Sequence, residues 1–288
     1  MSEPQPIARR WFITGVSSGF GRELAVAALA KGDRVIGTLR RPAQIAAFEA
    51  LAPGRAHALM MDVSDPAQIG AAVAAAGDIA GGIDVLVNNA GYGFVGAAEE
   101  ASLAEIRQQF ETNFFGLVQL TQAVLPQMRA RRTGRILNLS SGAGLMASAG
   151  LGYYAASKFA VEAFSEALAA EVAALGIRVT LLEPGGFRTQ FSGGSFAQAQ
   201  QRIGDYDATA GRMRAGFEQF NGRQPGDPAK AAQVMLQLVE MPEPPLRLLL
   251  GRDMLPRLRA RYQNALLELD RWEALSSSTE FESAEVQA

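Results

Sequence analysis

Residues 14–21 read T-G-V-S-S-G-F-G and follow directly on a short apolar run, Trp11 to Thr14. A helical pattern comes next, to about Lys31, with Leu24, Ala25, Ala28 and Leu29 on one face and Gly32 as its stop. A strand that feeds a glycine-rich turn and then a helix opens a dinucleotide-binding sheet. The glycines let backbone approach a pyrophosphate, and the helix N-terminus stabilises its charge. The strict G-x-G-x-x-G spacing is absent, because Gly19-x-Gly21 is followed by Leu24; the glycines fall instead at Gly15, Gly19 and Gly21. Taken alone, the turn also fits a tight βα connection without a ligand.

The remaining chain repeats the pattern. Apolar runs span Arg34 to Leu39, Ala58 to Met61, Ile83 to Val87, Arg135 to Leu139, Ile177 to Leu182 and Leu246 to Leu250. The early runs are continuous rather than alternating, as parallel strands covered on both faces require. Helices are expected from Asp65-Pro66, from a Ser102/Glu105 capping box through Asn113 and Gly116 towards Pro126, and from Ala155 to Leu175. Two more are expected from Asp227-Pro228 to about Glu240 and from Asp253 to about Trp272. The fold class is therefore α/β: a Rossmann-like doubly wound parallel sheet of about seven strands with helices on both faces. With 288 residues, no internal repeat and no linker, one domain over 1–288 is expected. Residues 191–224 follow a strand's C-terminal edge and read as a partly helical lid. The tail, 276–288, reads as polar and mobile.

Composition removes several classes of function. The chain has no cysteine, which excludes disulfides, thiol catalysis and thiolate metal sites. His57 is the only histidine and is assigned no role; no metal site is expected. A net charge of −2 argues against a nucleic-acid surface. The uncharged stretch between Arg135 and Lys158 is broken by Gly, Ser and Asn, so no membrane insertion is expected. The start, MSEPQPIARR, lacks the apolar segment of a signal peptide, and a cytoplasmic protein is expected.

The chemistry is concentrated between Asn138 and Lys158, which read NLSSGAGLMASAGLGYYAASK. Tyr154 and Lys158 stand four apart, one above the other on a helix face. A phenol titrates near ~10, and a neighbouring positive charge lowers that value. Ser140 and Ser141 end the preceding strand, from which a hydroxyl can return over Tyr154. Past the second strand, where NAD-binding folds hold an acid, stands Leu39, followed by Arg40 and Arg41. An arginine there accommodates a 2′-phosphate.

With these residues assembled, the chain resembles the short-chain dehydrogenase/reductase family in its compact form, over most of residues 8–255. The carriers of the resemblance are T-G-x-x-x-G-x-G at Thr14 to Gly21, Asn88-Asn89-Ala90-Gly91, Asn113, Ser141, the Tyr154/Lys158 pair, and Pro184-Gly185 with Thr189. Gly226-Asp227-Pro228, Pro244-Pro245-Leu246 and Leu250-Gly251, with Val35 to Pro42, look like the 17β-hydroxysteroid-dehydrogenase-like and retinol-dehydrogenase-like branch.

The resemblance implies an NAD(P)-dependent oxidoreductase, a ketoreductase or alcohol dehydrogenase, with Asn113, Ser141, Tyr154 and Lys158 catalytic. Tyr154 is the expected proton donor; Lys158 is expected to lower its pKa, and Asn113 to position a water beside Lys158. The implied cofactor set is Gly15, Ser17, Ser18, Gly19, Phe20, Gly21, Arg40, Asp62, Val63, Asn89, Ala90, Gly91, Tyr154, Lys158, Pro184, Gly185 and Thr189. NADP(H) is the expected preference, with NAD(H) as the other option. Tyr92, Phe94, Leu145, Met146, Phe187 and Phe191 are expected to line a pocket for a small apolar carbonyl or alcohol. The family's habit implies a homodimer or homotetramer. Two rival readings are a non-catalytic dinucleotide-binding sensor or scaffold and a nucleotide-sugar epimerase or dehydratase.

Overall fold

A computed structural model describes residues 8–193 and 196–281. The expectations for the first seven residues and for 282–288 of the tail lie outside the described residues. The strands are β1 (Arg10–Ile13), β2 (Arg34–Leu39), β3 (Ala56–Met60), β4 (Val85–Asn88), β5 (Gly93–Val95), β6 (Gly134–Leu139), β7 (Ile177–Pro184), β8 (Phe196–Gln198) and β9 (Arg247–Leu250). The helices are α1 (Gly19–Ala30), α2 (Ile45–Glu49), α3 (Pro66–Ala80), α4 (Leu103–Phe110), α5 (Gly116–Arg131), α6 (Gly152–Val172), α7 (Arg212–Phe220), α8 (Pro228–Glu240) and α9 (Leu255–Ser277).

Seven strands form one all-parallel sheet in the order β3-β2-β1-β4-β6-β7-β9. The chain runs outward from β1 to β3, then returns to the other side of β1 with β4. The connections leaving the carboxyl ends of β1 and β4 therefore run to opposite faces of the sheet, which is where open α/β sheets form their crevice. Strand residues alternate between two buried layers. Trp11, Ile13, Val85 and Val87 pack with Leu24 and Ala28 of α1 and with Met235 and Val239 of α8. Phe12, Leu86 and Ile136 pack on the opposite face with Ile69 of α3, Leu120 and Val124 of α5 and Leu168 of α6. Each Val, Leu, Ile, Phe or Met among them contributes about 1.5–3 kcal/mol when fully buried.

Helix starts follow the local signals. Asp65 accepts from the N–H groups of Ala67 (2.9 Å) and Gln68 (3.3 Å), and Asp227 from that of Ala229 (2.9 Å). Ser102 and Glu105 cap each other's backbone at α4. Four details differ from the sequence reading. The helix expected to run unbroken past Asn113 is interrupted by a π-helical turn, Glu111–Phe115, that carries Asn113 inward at 1% exposure. The third strand starts at Ala56 and includes His57, because its register is set by pairing along β2. A second, two-stranded parallel sheet joins β5 to β8 inside the expected lid. Finally, α9 continues to Ser277, so the start of the expected mobile tail is helical, with Ser278 N–H bonded to the Ala274 carbonyl.

Gly116 shows how tightly the π turn and α5 are seated. A Cβ at that position would collide with the Val63 carbonyl oxygen and come within 2.9 Å of the Val63 Cβ. The obstacle is backbone, which cannot rotate away. Gly116→Ala should therefore destabilise the fold by about 1–3 kcal/mol despite its higher helix propensity. Denaturant unfolding is the check; a stability equal to or above wild type would mean that α5 is free to shift.

Candidate active site

The catalytic-looking side chains converge where β6 ends and α6 begins. Tyr154 and Lys158 lie in the first two turns of α6, both buried. Ser141 follows β6 in extended conformation, and its Oγ accepts the Ala143 N–H (3.1 Å), which opens a short 3-10 turn, Gly142–Gly144. Its hydroxyl meets the Tyr154 phenol. Ser140 points the other way, since a Cβ on Gly144 would lie 2.6 Å from Ser140 Oγ and 3.2 Å from Glu162 Cγ. The alternation of an extended chain thus selects Ser141 as the serine facing Tyr154.

Lys158 Nζ donates to the Leu139 carbonyl (2.6 Å). Asn113 is bound on both sides of its amide: Oδ1 accepts the Tyr92 N–H (3.0 Å), and Nδ2 donates to the Tyr92 carbonyl (3.0 Å) and to Ser157 Oγ (3.2 Å). Asn113 does not line the cavity. It adjoins Lys158 through Gly91, where a Cβ would lie 3.1 Å from Asn113 Oδ1 and 3.6 Å from Lys158 Nζ.

A cavity of about 1390 Å³ runs from the glycine turn to this cluster. Gly15 and Gly19 line it with φ of +72° and +58°, values that favour glycine. Ser17, Ser18, Phe20, Arg40, Asp62, Val63, Asn89, Ala90, Gly91, Pro184, Gly185 and Thr189 also line it, beside Ser141, Tyr154 and Lys158. Gly21 does not. It lies in the first turn of α1, where a Cβ would come 2.5 Å from both Asn89 Nδ2 and the Gly15 carbonyl oxygen, so its role is close packing.

At the substrate end, Tyr92, Met146, Phe187 and Phe191 line the cavity as expected, whereas Phe94 and Leu145 do not. Phe94 is 3% exposed and packs edge-on against Tyr153. Leu145 is tied from outside, its carbonyl accepting Arg261 Nε (2.9 Å). Sequence reading missed Phe196, Phe217 and Met254. The rings of Tyr154, Phe191, Phe196 and Phe217 form a chain with centroids 5.4, 5.6 and 4.2 Å apart. The aromatic content of the expected lid was the available signal for the two phenylalanines; nothing local marked Met254.

A family model described as short chain dehydrogenase matches residues 9–200. The chain belongs to the short-chain dehydrogenase family. It is 38% identical over 240 residues to a 3-ketodihydrosphingosine reductase of Bacteroides thetaiotaomicron, covering 83% of this chain and 86% of that protein. Human retinol dehydrogenase 8 is 42% identical over 198 residues, 66% of this chain and 62% of that protein, so the retinol-dehydrogenase side of the expected branch is present among its relatives. The crystal structure of a short-chain dehydrogenase from Streptomyces avermitilis superposes with a TM-score of 0.90 at 43% identity, over 95% of this chain and all of that one. This short-chain dehydrogenase is an NAD(P)-dependent oxidoreductase acting on alcohol and carbonyl groups. Among the described residues no cluster of His, Asp and Glu fits a metal, and no helix is long and apolar enough to cross a membrane.

Burial dominates the titration of the central pair. It pushes the Tyr154 phenol up to about 12, against the hydrogen bond from Ser141, and drops the Lys158 ammonium to about 8, against the pull of Glu162. The expectation that Lys158 lowers the Tyr154 pKa is not met in this structure. Loss of hydration is the main cause acting on the phenol, and the lysine, which is not among those causes, is bonded to the Leu139 carbonyl.

Behind Lys158 lies a buried acidic pair. Glu162, one helical turn on, and Glu183 of β7 both approach Arg247 Nε, at 3.1 and 3.8 Å. Burial and the neighbouring Glu162 charge push Glu183 up to about 7, against Arg247. Its folded pKa thus lies above the ordinary 4.5, so folding takes up a proton between the two values. Stability should fall as pH rises across that window and stay lower above it. Glu183→Gln should flatten this dependence, gaining thermal stability over wild type on going from roughly pH 5 to pH 8. Parallel melting-temperature profiles for the two proteins would contradict a raised Glu183.

Proposed function

We propose that this protein is an NADP(H)-preferring enzyme that interconverts a carbonyl and an alcohol on an apolar substrate, with Tyr154 as general acid and base. The observation that carries the reading is the meeting of Ser141 and Tyr154, with Lys158 one turn on, in a cavity that joins a glycine cradle to an aromatic wall. The cradle fits a dinucleotide: Gly15 and Gly19 leave bare backbone at the N-terminus of α1, where Ser18 makes no side-chain cap.

The bound nicotinamide supplies or accepts the hydride. Ser141 and Tyr154 together hold the carbonyl oxygen. A phenol raised to about 12 keeps its proton until that oxygen gains charge and takes it. Ser141 donates a hydrogen bond to the same oxygen, stabilising the charge as it develops. Lys158, one helical turn from Tyr154, stands near the phenolate left behind and, by its place on the cavity wall, would hold the ribose hydroxyls. Asn113 fixes the Tyr92 backbone and Ser157 around this cluster. In oxidation each proton runs backward. The segment with Phe191, Phe196 and Phe217 acts as the lid over the substrate. Relatives whose names denote retinol and a keto sphingoid base are in keeping with a largely hydrocarbon substrate.

Tyr154→Phe keeps the ring and removes the proton. Turnover should fall by about 10²–10⁴-fold with cofactor binding retained. A variant with most of the wild-type rate would sink Tyr154 as the acid.

Cofactor preference rests on the end of β2. Leu39 is buried there, so no acid grips a ribose diol, while Arg40 is exposed on the cavity wall. A guanidinium meets a 2′-phosphate with forked, charge-assisted hydrogen bonds. Hydrogen bonds to charged groups contribute about 1.5–3 kcal/mol, so Arg40→Ala should lower kcat/KM with NADPH roughly ten- to a hundredfold and leave NADH nearly untouched. Measuring both cofactors against one ketone decides the matter; wild-type preference for NADH would refute the assignment.

A further inference from the structure

Glu162 is a buried charge set behind the cavity wall rather than on it. It lies midway along α6 at 5% exposure, where an uncompensated carboxylate is costly. It follows Lys158 by four residues, as Lys158 follows Tyr154 by four. Phenol, ammonium and carboxylate therefore rise along one face of the helix at successive turns.

The other groups facing this carboxylate come from three strands and from α6 itself. Arg247 of β9 donates Nε to Glu162 Oε2 at 3.1 Å. The same guanidinium reaches Glu166 of α6 at 2.5 Å, whose side chain is 62% exposed, and comes within 3.8 Å of Glu183 of β7. Ser140, just past β6, turns its hydroxyl towards Glu162. Ser140 Oγ and Glu162 Oε1 are both buried without a hydrogen-bond partner among the described residues. One oxygen of Glu162 is thus anchored and the other is uncommitted. Gly144 closes the side towards the cavity: a Cβ there would lie 3.1 Å from the Lys158 carbonyl oxygen and 3.2 Å from Glu162 Cγ.

Lys158 needs such a neighbour. It is 6% exposed, and the Leu139 carbonyl that accepts its hydrogen bond carries no net charge. We propose that Glu162 is a positioning residue for the reaction: tethered by Arg247, its carboxylate keeps Lys158 an ammonium while Tyr154 gives up its proton. The inference rests on the reading of Tyr154 as the acid. During transfer the ammonium then lies between two anions, the phenolate one turn before it and the carboxylate one turn after. Burial favours the neutral amine, and the charge of Glu162 opposes it, leaving Lys158 at about 8. Loss of an opposite charge at this range lowers an ammonium by about 1–3 units, enough to leave much of Lys158 neutral, and of little use to a phenolate, at pH 7.

The chain has three lysines, and Lys31 and Lys230 are exposed whereas Lys158 is buried. Carbon NMR of the full chain labelled at lysine Cε therefore follows Lys158 directly and needs no substrate. In wild type its titration midpoint should fall at about pH 8. Glu162→Gln should lower that midpoint by about one unit or more, and the pH above which kcat/KM for ketone reduction declines should drop with it. Glu162→Asp, which keeps the charge, should hold most of the wild-type midpoint, and Glu183→Gln should move it less than Glu162→Gln does. A loss of packing alone would move neither the midpoint nor the pH profile. A midpoint unmoved in Glu162→Gln or an equal drop in Glu162→Asp would overturn the proposal. So would a wild-type midpoint below about pH 6, a measurement that requires no variant to fold. A wild type that reduces no ketone, with the midpoint still shifted by Glu162→Gln, would count against the assigned reaction and not against the coupling of Glu162 to Lys158.

Discussion

Everything around the crevice depends on how one hydroxyl closes the gap between β1 and β4. Thr14 Oγ1 accepts the N–H groups of Asn89 (2.9 Å) and Ala90 (2.8 Å) and donates to the Val87 carbonyl (3.3 Å). That uses the full capacity of a hydroxyl, one donor and two acceptors, at 1% exposure. Asn89 returns the bond, its Nδ2 donating to the Thr14 carbonyl (2.7 Å) and the Gly15 carbonyl (3.2 Å). Each bond contributes only about 0.5–1.5 kcal/mol, but a buried donor left unpaired costs more than that. The clasp therefore has few alternatives. It fixes the glycine turn at the height of Gly91, and Gly91 abuts Asn113 and Lys158.

A second polar line stiffens the sheet beneath the site. Asn88 donates to Thr121 Oγ1 (3.0 Å) and to Asn138 Oδ1 (2.8 Å), and Asn138 donates to Ser165 Oγ (2.8 Å). These bonds link neighbouring strands β4 and β6 to α5 and α6 through an otherwise apolar interior. Asn88 Oδ1 alone in this line lacks a partner among the described residues, and a water-excluded network that is otherwise paired favours one arrangement. The helix that carries Tyr154 and Lys158 is thereby locked in register with the strand that delivers Ser141.

Much of this was legible in the sequence. Apolar runs announced all seven strands of the main sheet, the first four of them continuous, and Asp65, Ser102 and Asp227 announced three helix starts, because those signals are local. The β5–β8 pair was not legible, since each strand is three residues long and they meet across about a hundred positions. Nor was the π turn at Asn113, because side-chain period does not reveal the size of a backbone hydrogen-bonded ring. Phe94 and Leu145 were misplaced because nearness to a motif does not tell which way the chain faces. Ser141 was picked over Ser140 only by resemblance; the structure supplies the physical reason, as Ser140 turns towards Glu162.

Arg247 is the counter-charge for Glu162 and stands near Glu183, yet it is separated from them by more than sixty positions of later chain. During synthesis α6 and β7 emerge first, with their acids facing each other and no cation between them. Until β9 reaches β7, Glu162 and Glu183 lack the Arg247 guanidinium that draws both. The final strand thus supplies charge as well as pairing. Without residue 247 the sheet would keep most of its strands, while Glu162 would retain only Lys158, one turn back, as a cationic neighbour.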